Sequence, residues 1–138
     1  MTQINRYLED EHMDRIDHAL GRPLDPMAET YRNHYVTDAN GTEAEEMRAS
    51  PLWRGGNDVT GMATFHVTGD GCKALTDHLK QIRDPHRAFV VTFDGFDATV
   101  VSTSPAKARY EYWLRVSDCW PDLKFSEFLR GAKVLRAV

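Results

Sequence analysis

Met62-Ala63-Thr64-Phe65-His66-Val67-Thr68-Gly69-Asp70-Gly71-Cys72-Lys73-Ala74-Leu75, continued by Leu79 and Ile82, changes its hydrophobic period part-way along. Residues 62–68 alternate, which is the period of a strand with one buried face. Cys72, Leu75, Leu79 and Ile82 then fall at intervals of three, four and three, which is one face of a helix. Gly69-Asp70-Gly71 marks the junction. A strand feeding directly into an amphipathic helix points to a mixed α+β fold.

Upstream of this stretch, Leu52-Trp53 and the turn-rich Arg54-Gly55-Gly56-Asn57-Asp58 supply the first half of a hairpin whose second strand is residues 62–68. In residues 3–20, Ile4, Leu8, Met13, Ile16 and Leu20 recur at near-helical spacing, with Glu9, Asp10, Glu11, Asp14 and Asp17 largely on the other faces. Gly21 and Pro23 end that helix. Asp25-Pro26 reads as a cap and first position of a second helix, from about Pro26 to Tyr35. After a turn at residues 37–41, Thr42 and Glu45 have the spacing of a capping box for a short third helix ending near Ser50-Pro51.

Downstream, Asp84-Pro85 breaks the helix that begins near Cys72. Ala88 to Phe93 and Phe96 to Val101 are two β-rich runs around Asp94-Gly95, a strong hairpin signal. Ser104-Pro105 caps a further helix carrying Tyr110, Trp113, Leu114 and Val116, and Trp120-Pro121-Asp122 forces a turn. Ser126 to Gly131 reads as one helical turn and Lys133 to Val138 as a last strand. The fold expected is α+β: three helices and a β-hairpin, then a helix, then a small antiparallel β-β-α-β unit. Residues 1–138 are read as one compact domain with two subregions, 1–82 and 88–138.

The 138 residues are 41% hydrophobic and 28% charged, enough for one domain that buries about two thirds of the surface exposed by its unfolded chain. No stretch is apolar for long enough to span a bilayer, and Glu9, Asp10 and Glu11 interrupt what would have to be the apolar core of an export signal. Cys72 and Cys119 lack CxxC spacing, as expected of reduced thiols in the cytoplasm. The net charge of −4 is unevenly spread: residues 1–50 hold eleven acids and five bases, residues 105–138 four acids and seven bases. An acidic chain gains little from the counterion release that drives nonspecific DNA binding.

Phe65-His66-Val67-Thr68-Gly69-Asp70-Gly71-Cys72 resembles the wing-to-helix junction of winged-helix proteins, and the three expected helices before it match their order over residues 1–82. The resemblance implies a third helix that reads the major groove. That helix is Glu43-Ala44-Glu45-Glu46-Met47-Arg48, whose acids would face phosphate, so a winged-helix shape used for protein contact fits better. The whole chain also resembles small phage and prophage proteins of GC-rich proteobacteria, through Thr30-Tyr31-Arg32-Asn33-His34-Tyr35 and Lys107-Ala108-Arg109-Tyr110. That resemblance implies an accessory protein or an inhibitor of a host defence complex, in the manner of anti-CRISPR proteins.

No stretch carries a catalytic, metal or phosphate motif: the six histidines show no HExxH or HxH, and no GxSxG, P-loop or GxGxxG occurs. No cofactor, metal site or enzymatic activity is expected, although a site assembled from distant residues escapes a motif search. His66 and His78 read as locally bonded histidines and Cys72 as a buried thiol. Two surface hypotheses remain. In the first, Glu9, Glu11, Asp14, Glu43, Glu45 and Glu46 form an acidic helical face that mimics nucleic-acid charge and docks on a basic surface of a host or phage protein complex; a solvated helix face is the plainer account of the same acids. In the second, a winged-helix regulator contacts DNA through Arg54 near the wing and through Lys107, Arg109 and Arg115 beside Tyr110, Tyr112 and Trp113. Burial of those aromatics against the C-terminal sheet is the plainer account of the second set. Exposure of Trp53 or Trp120 would mark a partner surface.

Overall fold

The computed structural model describes residues 4 and 6–137. By the packing of its backbone the chain forms two compact units, Asn5–Asp84 and Pro85–Val138, with Ile4 belonging to the second.

In the first unit the period-two stretch is the central strand of a three-stranded antiparallel sheet. The elements are α1 (Glu11–Ala19), β1 (Tyr35–Asp38), α2 (Thr42–Arg48), β2 (Trp53–Val59), β3 (Met62–Val67) and α3 (Gly69–Gln81), with strand order β1-β3-β2. Ala63, Phe65 and Val67 of β3 are buried, whereas Met62 and Thr64 are exposed and His66 is half-buried, so the alternation sets one covered face and one open face. The covered face carries Ile16 and Ala19 of α1 and Leu20 just after it, Ala44 and Met47 of α2, Leu75 and Leu79 of α3, and Trp53 of β2 in one cluster with Phe65. Each such large side chain contributes roughly 1.5–3 kcal/mol by leaving water. The Thr68 side chain caps α3 by accepting from the Gly71 amide at 3.1 Å. Gly71 is glycine for space: a Cβ there would lie 2.5 Å from both the Leu52 carbonyl oxygen and Val67 Cγ1.

The second unit follows its local signals closely. It comprises β4 (Arg87–Phe93), β5 (Phe96–Ser102), α4 (Pro105–Val116), a 3-10 turn at Ser117–Cys119, α5 (Phe125–Gly131) and β6 (Lys133–Arg136), with antiparallel sheet order β5-β4-β6. Asp94 and Gly95 both have positive φ, 52° and 80°, the requirement of the two-residue turn whose twist suits a hairpin. Ser104 accepts from the Lys107 amide at 3.2 Å and Pro105 opens α4. Phe89, Val91, Val100, Ala108, Tyr112, Phe128 and Ala132 form the core. Phe128 is its hub, with ring centroids of Phe93 and Trp113 at 4.8 and 5.3 Å.

Several expectations are corrected. The first helix is shorter than residues 3–20: Asp10 is its cap, accepting from the Met13 amide, and Glu9 lies before it. Gln3 and Asn5, at the head of that expected helix, and Val138, at the end of the last expected strand, lie outside the described residues. No second helix forms over 26–35. Asp25 instead accepts from the Met27 amide in a tight turn, and Tyr35 opens β1, because pairing with Met62–Phe65 satisfies its backbone. The three-helix lead of a winged helix is therefore absent, since a strand follows α1 directly.

The Thr42–Glu45 box is not made: Gly41 caps α2 without a side-chain bond and Thr42 is already helical. The first hairpin turns at Thr60-Gly61, with φ of 52° and 87°, and the supposed turn at 54–58 is strand carrying a bulge between Gly55 and Asp58. A Cβ on Gly56 would meet the Phe65 ring at 2.6 Å, so these glycines serve close packing. On α4, Tyr112 and Ala108 are buried, whereas Tyr110 is half exposed and touches Phe125.

Candidate functional site

The acidic residues singled out by sequence fall in the first unit and divide into committed and free. Asp14 accepts from Arg22 Nη1 at 2.7 Å and from the Leu8 amide at 3.0 Å. Burial alone would raise its pKa; the hydrogen bonds from Arg22 and Leu8 and the Arg22 charge outweigh it and hold the carboxyl below its ordinary value. Glu43 and Glu46 both face Arg15, at 3.3 and 3.9 Å. Arg15 thereby joins α1 to α2 and neutralises part of the expected acidic face, whereas Asp14 is turned to Arg22 and Leu8. Glu9, Glu11 and Glu45 are exposed and make no ion pair among the described residues.

Beneath this surface lies a network that no local pattern announces. The Arg6 guanidinium, 3% exposed, grips Asp17, 0% exposed, with two bonds: Nε donates to Oδ2 at 3.1 Å and Nη2 to Oδ1 at 2.6 Å. Its Nη1 reaches Asp84 at 3.0 Å and its Nη2 also donates to the Pro23 carbonyl at 2.8 Å. Arg22 completes the set by donating to Asp17 at 3.0 Å, and stacks its guanidinium 4.7 Å from the Tyr7 ring centroid. Burial works against the charge on Arg6 and Arg22, but their carboxylate partners raise both pKa values above the ordinary one. The network ties the segment before α1 to α1 itself, to the α1–β1 connection and to Asp84 just past α3. Tyr35, between α1 and α2, has its hydroxyl pKa raised by burial first and by the Glu43 carboxylate second, against a smaller lowering by Arg15.

No family model, curated protein or solved structure matches the chain. Its site must therefore be judged on its own chemistry. Among the described residues no group of three or more His, Cys, Asp or Glu is placed to hold a metal ion, and no helix is long and apolar enough to cross a membrane. His66 Nδ1 lies 2.7 Å from the Asn33 carbonyl oxygen, a local bond. Both cysteines are free thiols; Cys72 is half-buried and burial raises its pKa, which suppresses the nucleophilic thiolate, while Cys119 is exposed.

The bases that the alternative hypothesis places on α4 do not converge. At about 100° per residue, Lys107 and Arg115 lie about 80° apart around α4, whereas Arg109 lies about 160° from Lys107 on the opposite side. Lys107 and Arg115 are exposed, but Arg109 is half-buried with Nε shut off from water and unbonded. Of the expected base-stacking aromatics, Tyr112 is buried and Trp113 packs on Phe125 and Phe128, leaving Tyr110. Arg54, in the other unit, is exposed on the open face of its sheet, opposite His66. Trp53 is buried and Trp120 packs against Phe93, so neither marks an open partner surface.

Proposed function

We propose that this chain is a non-enzymatic binding protein whose acidic first unit docks on a basic surface of a partner protein complex. The phage-protein resemblance supplies the specific form of the proposal, inhibition of a host defence complex. One observation carries it. Residues 5–84 hold fifteen acids and nine bases, net −6, and residues 85–138 hold six acids and eight bases, net +2. Within the first unit Arg6, Arg15 and Arg22 are spent on internal carboxylates, so the charge left facing water there is acidic. Complementary potential of this kind steers encounter with a cationic surface.

The test reverses the free acids and spares those that pair with Arg15. Wild-type protein and a Glu11→Lys, Glu45→Lys variant are used to capture partners from a proteobacterial lysate, beside a duplex-DNA shift assay at two salt concentrations. Capture of a defined protein by wild type, its loss in the variant and no DNA shift are expected. A salt-sensitive DNA shift without protein capture contradicts the proposal.

A further inference from the structure

The connection between α1 and β1, expected from sequence to be helical from about Pro26 onward, is an ordered loop with its ends tied together. Fourteen residues, 20–33, are bracketed by the bond from the His34 amide to the Ala19 carbonyl at 3.2 Å. A compact loop of this length with joined ends is a frequent carrier of function. Its interior is pinned at several points. Arg6 holds the Pro23 carbonyl, Pro26 is buried, Asp25 caps the Met27 amide, and the Asn33 side chain bonds both the amide and the carbonyl of Val67. Gly21 has φ +80°, and a Cβ there would lie 3.1 Å from the Tyr31 ring and 3.0 Å from Arg32 Cγ. Only glycine lets Tyr31 fold over this point.

Such a well-anchored loop should hide its apolar residues, yet it shows them. Tyr31 is 71% exposed and Met27 57%, and Tyr7, whose ring lies over Arg22, is 77% exposed. Tyr7 and Tyr31 therefore flank the Gly21-Arg22 dipeptide as two solvent-facing rings on a rigid base. Tyrosines presented in this way lose little conformational entropy on contact and are enriched at energetic centres of interfaces. The ionic surroundings are one-sided. Arg15 and Arg22 are half-buried and paired, and between Tyr7 and Tyr31 in the chain the exposed carboxylates Glu9, Asp10, Glu11, Asp25 and Glu29 are accompanied by no exposed Lys or Arg, only by the exposed imidazoles His12 and His18.

We infer that the Tyr7–Tyr31 surface is a docking site for an arginine-rich segment of a protein partner. Arginine is the side chain that satisfies both features, stacking its planar guanidinium on a tyrosine face while bonding carboxylates, and Arg22 on Tyr7 already shows the geometry within this molecule. Phosphate-bearing polymers and anionic lipid surfaces meet like charge here. The inference rests on the acidic-unit reading and names the part of that unit which makes contact.

A fluorescein-labelled arginine-serine repeat peptide, and a lysine-serine repeat of equal length and charge, are titrated by anisotropy against the full chain. The variants are Tyr31→Ser, Tyr31→Phe and Glu11→Lys with Glu45→Lys. Thermal unfolding of Tyr31→Ser should match wild type, because the ring is exposed. The arginine peptide should bind more tightly than the lysine peptide. Tyr31→Ser should weaken the arginine peptide roughly threefold to thirtyfold, and Tyr31→Phe should restore it. Equal affinity of Tyr31→Ser and wild type overturns the inference; if the double reversal then abolishes binding, the acidic-unit reading survives it. Absence of any arginine-peptide binding by wild type also overturns the inference, and lysate capture still judges the broader reading by itself.

Discussion

The two units solve the same folding problem, a three-stranded antiparallel sheet with helices, by different chemistry. In residues 85–137 the centre is aromatic: Phe128 is fully buried among Phe93, Tyr112 and Trp113, and the helix caps are short-range. In residues 6–84 an aliphatic and aromatic core around Phe65 is supplemented by a buried charge network, Arg6 with Asp17 and Asp84 and Arg22 with Asp14 and Asp17. Buried ion pairs recover their desolvation cost only with full hydrogen bonding, which Asp17 has from two guanidinium groups. What the contrast teaches is that the chain's acidity has two fates. Part is turned inward to clamp the segment before α1 and the α1–β1 loop, and the remainder is left facing water on the same unit.

The largest effect should come from emptying either core. Phe128→Ala and Phe65→Ala each remove a fully buried ring, and each should cost about 3–5 kcal/mol in denaturant unfolding. A much smaller loss at Phe65 than at Phe128 would mean that the charge network, and not the apolar core, dominates the first unit. Asp17→Leu should cost a comparable amount, about 3–5 kcal/mol, because it strands Arg6 and Arg22 in a dry site. Adding Arg6→Met to Asp17→Leu should recover part of that loss, and failure to do so would show that the pair is not the source of the cost.

The smallest effect concerns acid. The folded pKa of Asp14 lies below its ordinary 3.8, so its contribution is complete above that value and disappears as pH falls through the lower, folded one. Asp14→Asn should therefore flatten the part of the stability curve below pH 3.8 and leave its shape at neutral pH unchanged. An unchanged acid limb would remove Asp14 from the network's energetics.

How much of this was legible in the sequence follows the range of each signal. Asp94-Gly95 and Ser104-Pro105 act within a few residues, and the second hairpin and α4 are formed where they indicate; α3 follows the Cys72–Leu79 periodicity but starts at Gly69, inside the expected junction, because the Thr68 side chain caps it there. The mixed α+β class was legible for the same reason. Strand β1 was not, because four residues of alternation become a strand only through partners at 62–65, far along the chain. Asp25-Pro26 carries one signal with two outcomes, a helix cap or a side-chain turn, and tertiary anchoring at Pro26 and Asn33 selected the turn. Among site residues, the acids were found from composition, but their pairing was not. Arg15 follows Glu11 by four positions, the spacing of an intrahelical pair, yet it reaches across to Glu43. Arg6 and Asp84 are separated by 78 positions, beyond any pattern in one sequence.

The central claim is that the acidic first unit, and not the basic helices of the second, meets the partner. It is tested most directly by amide hydrogen exchange of the full chain, free and in complex with the captured protein. Added protection should fall on residues 7–31 and 43–46. Protection confined to residues 105–131 would contradict the account and move the binding surface to α4 and α5.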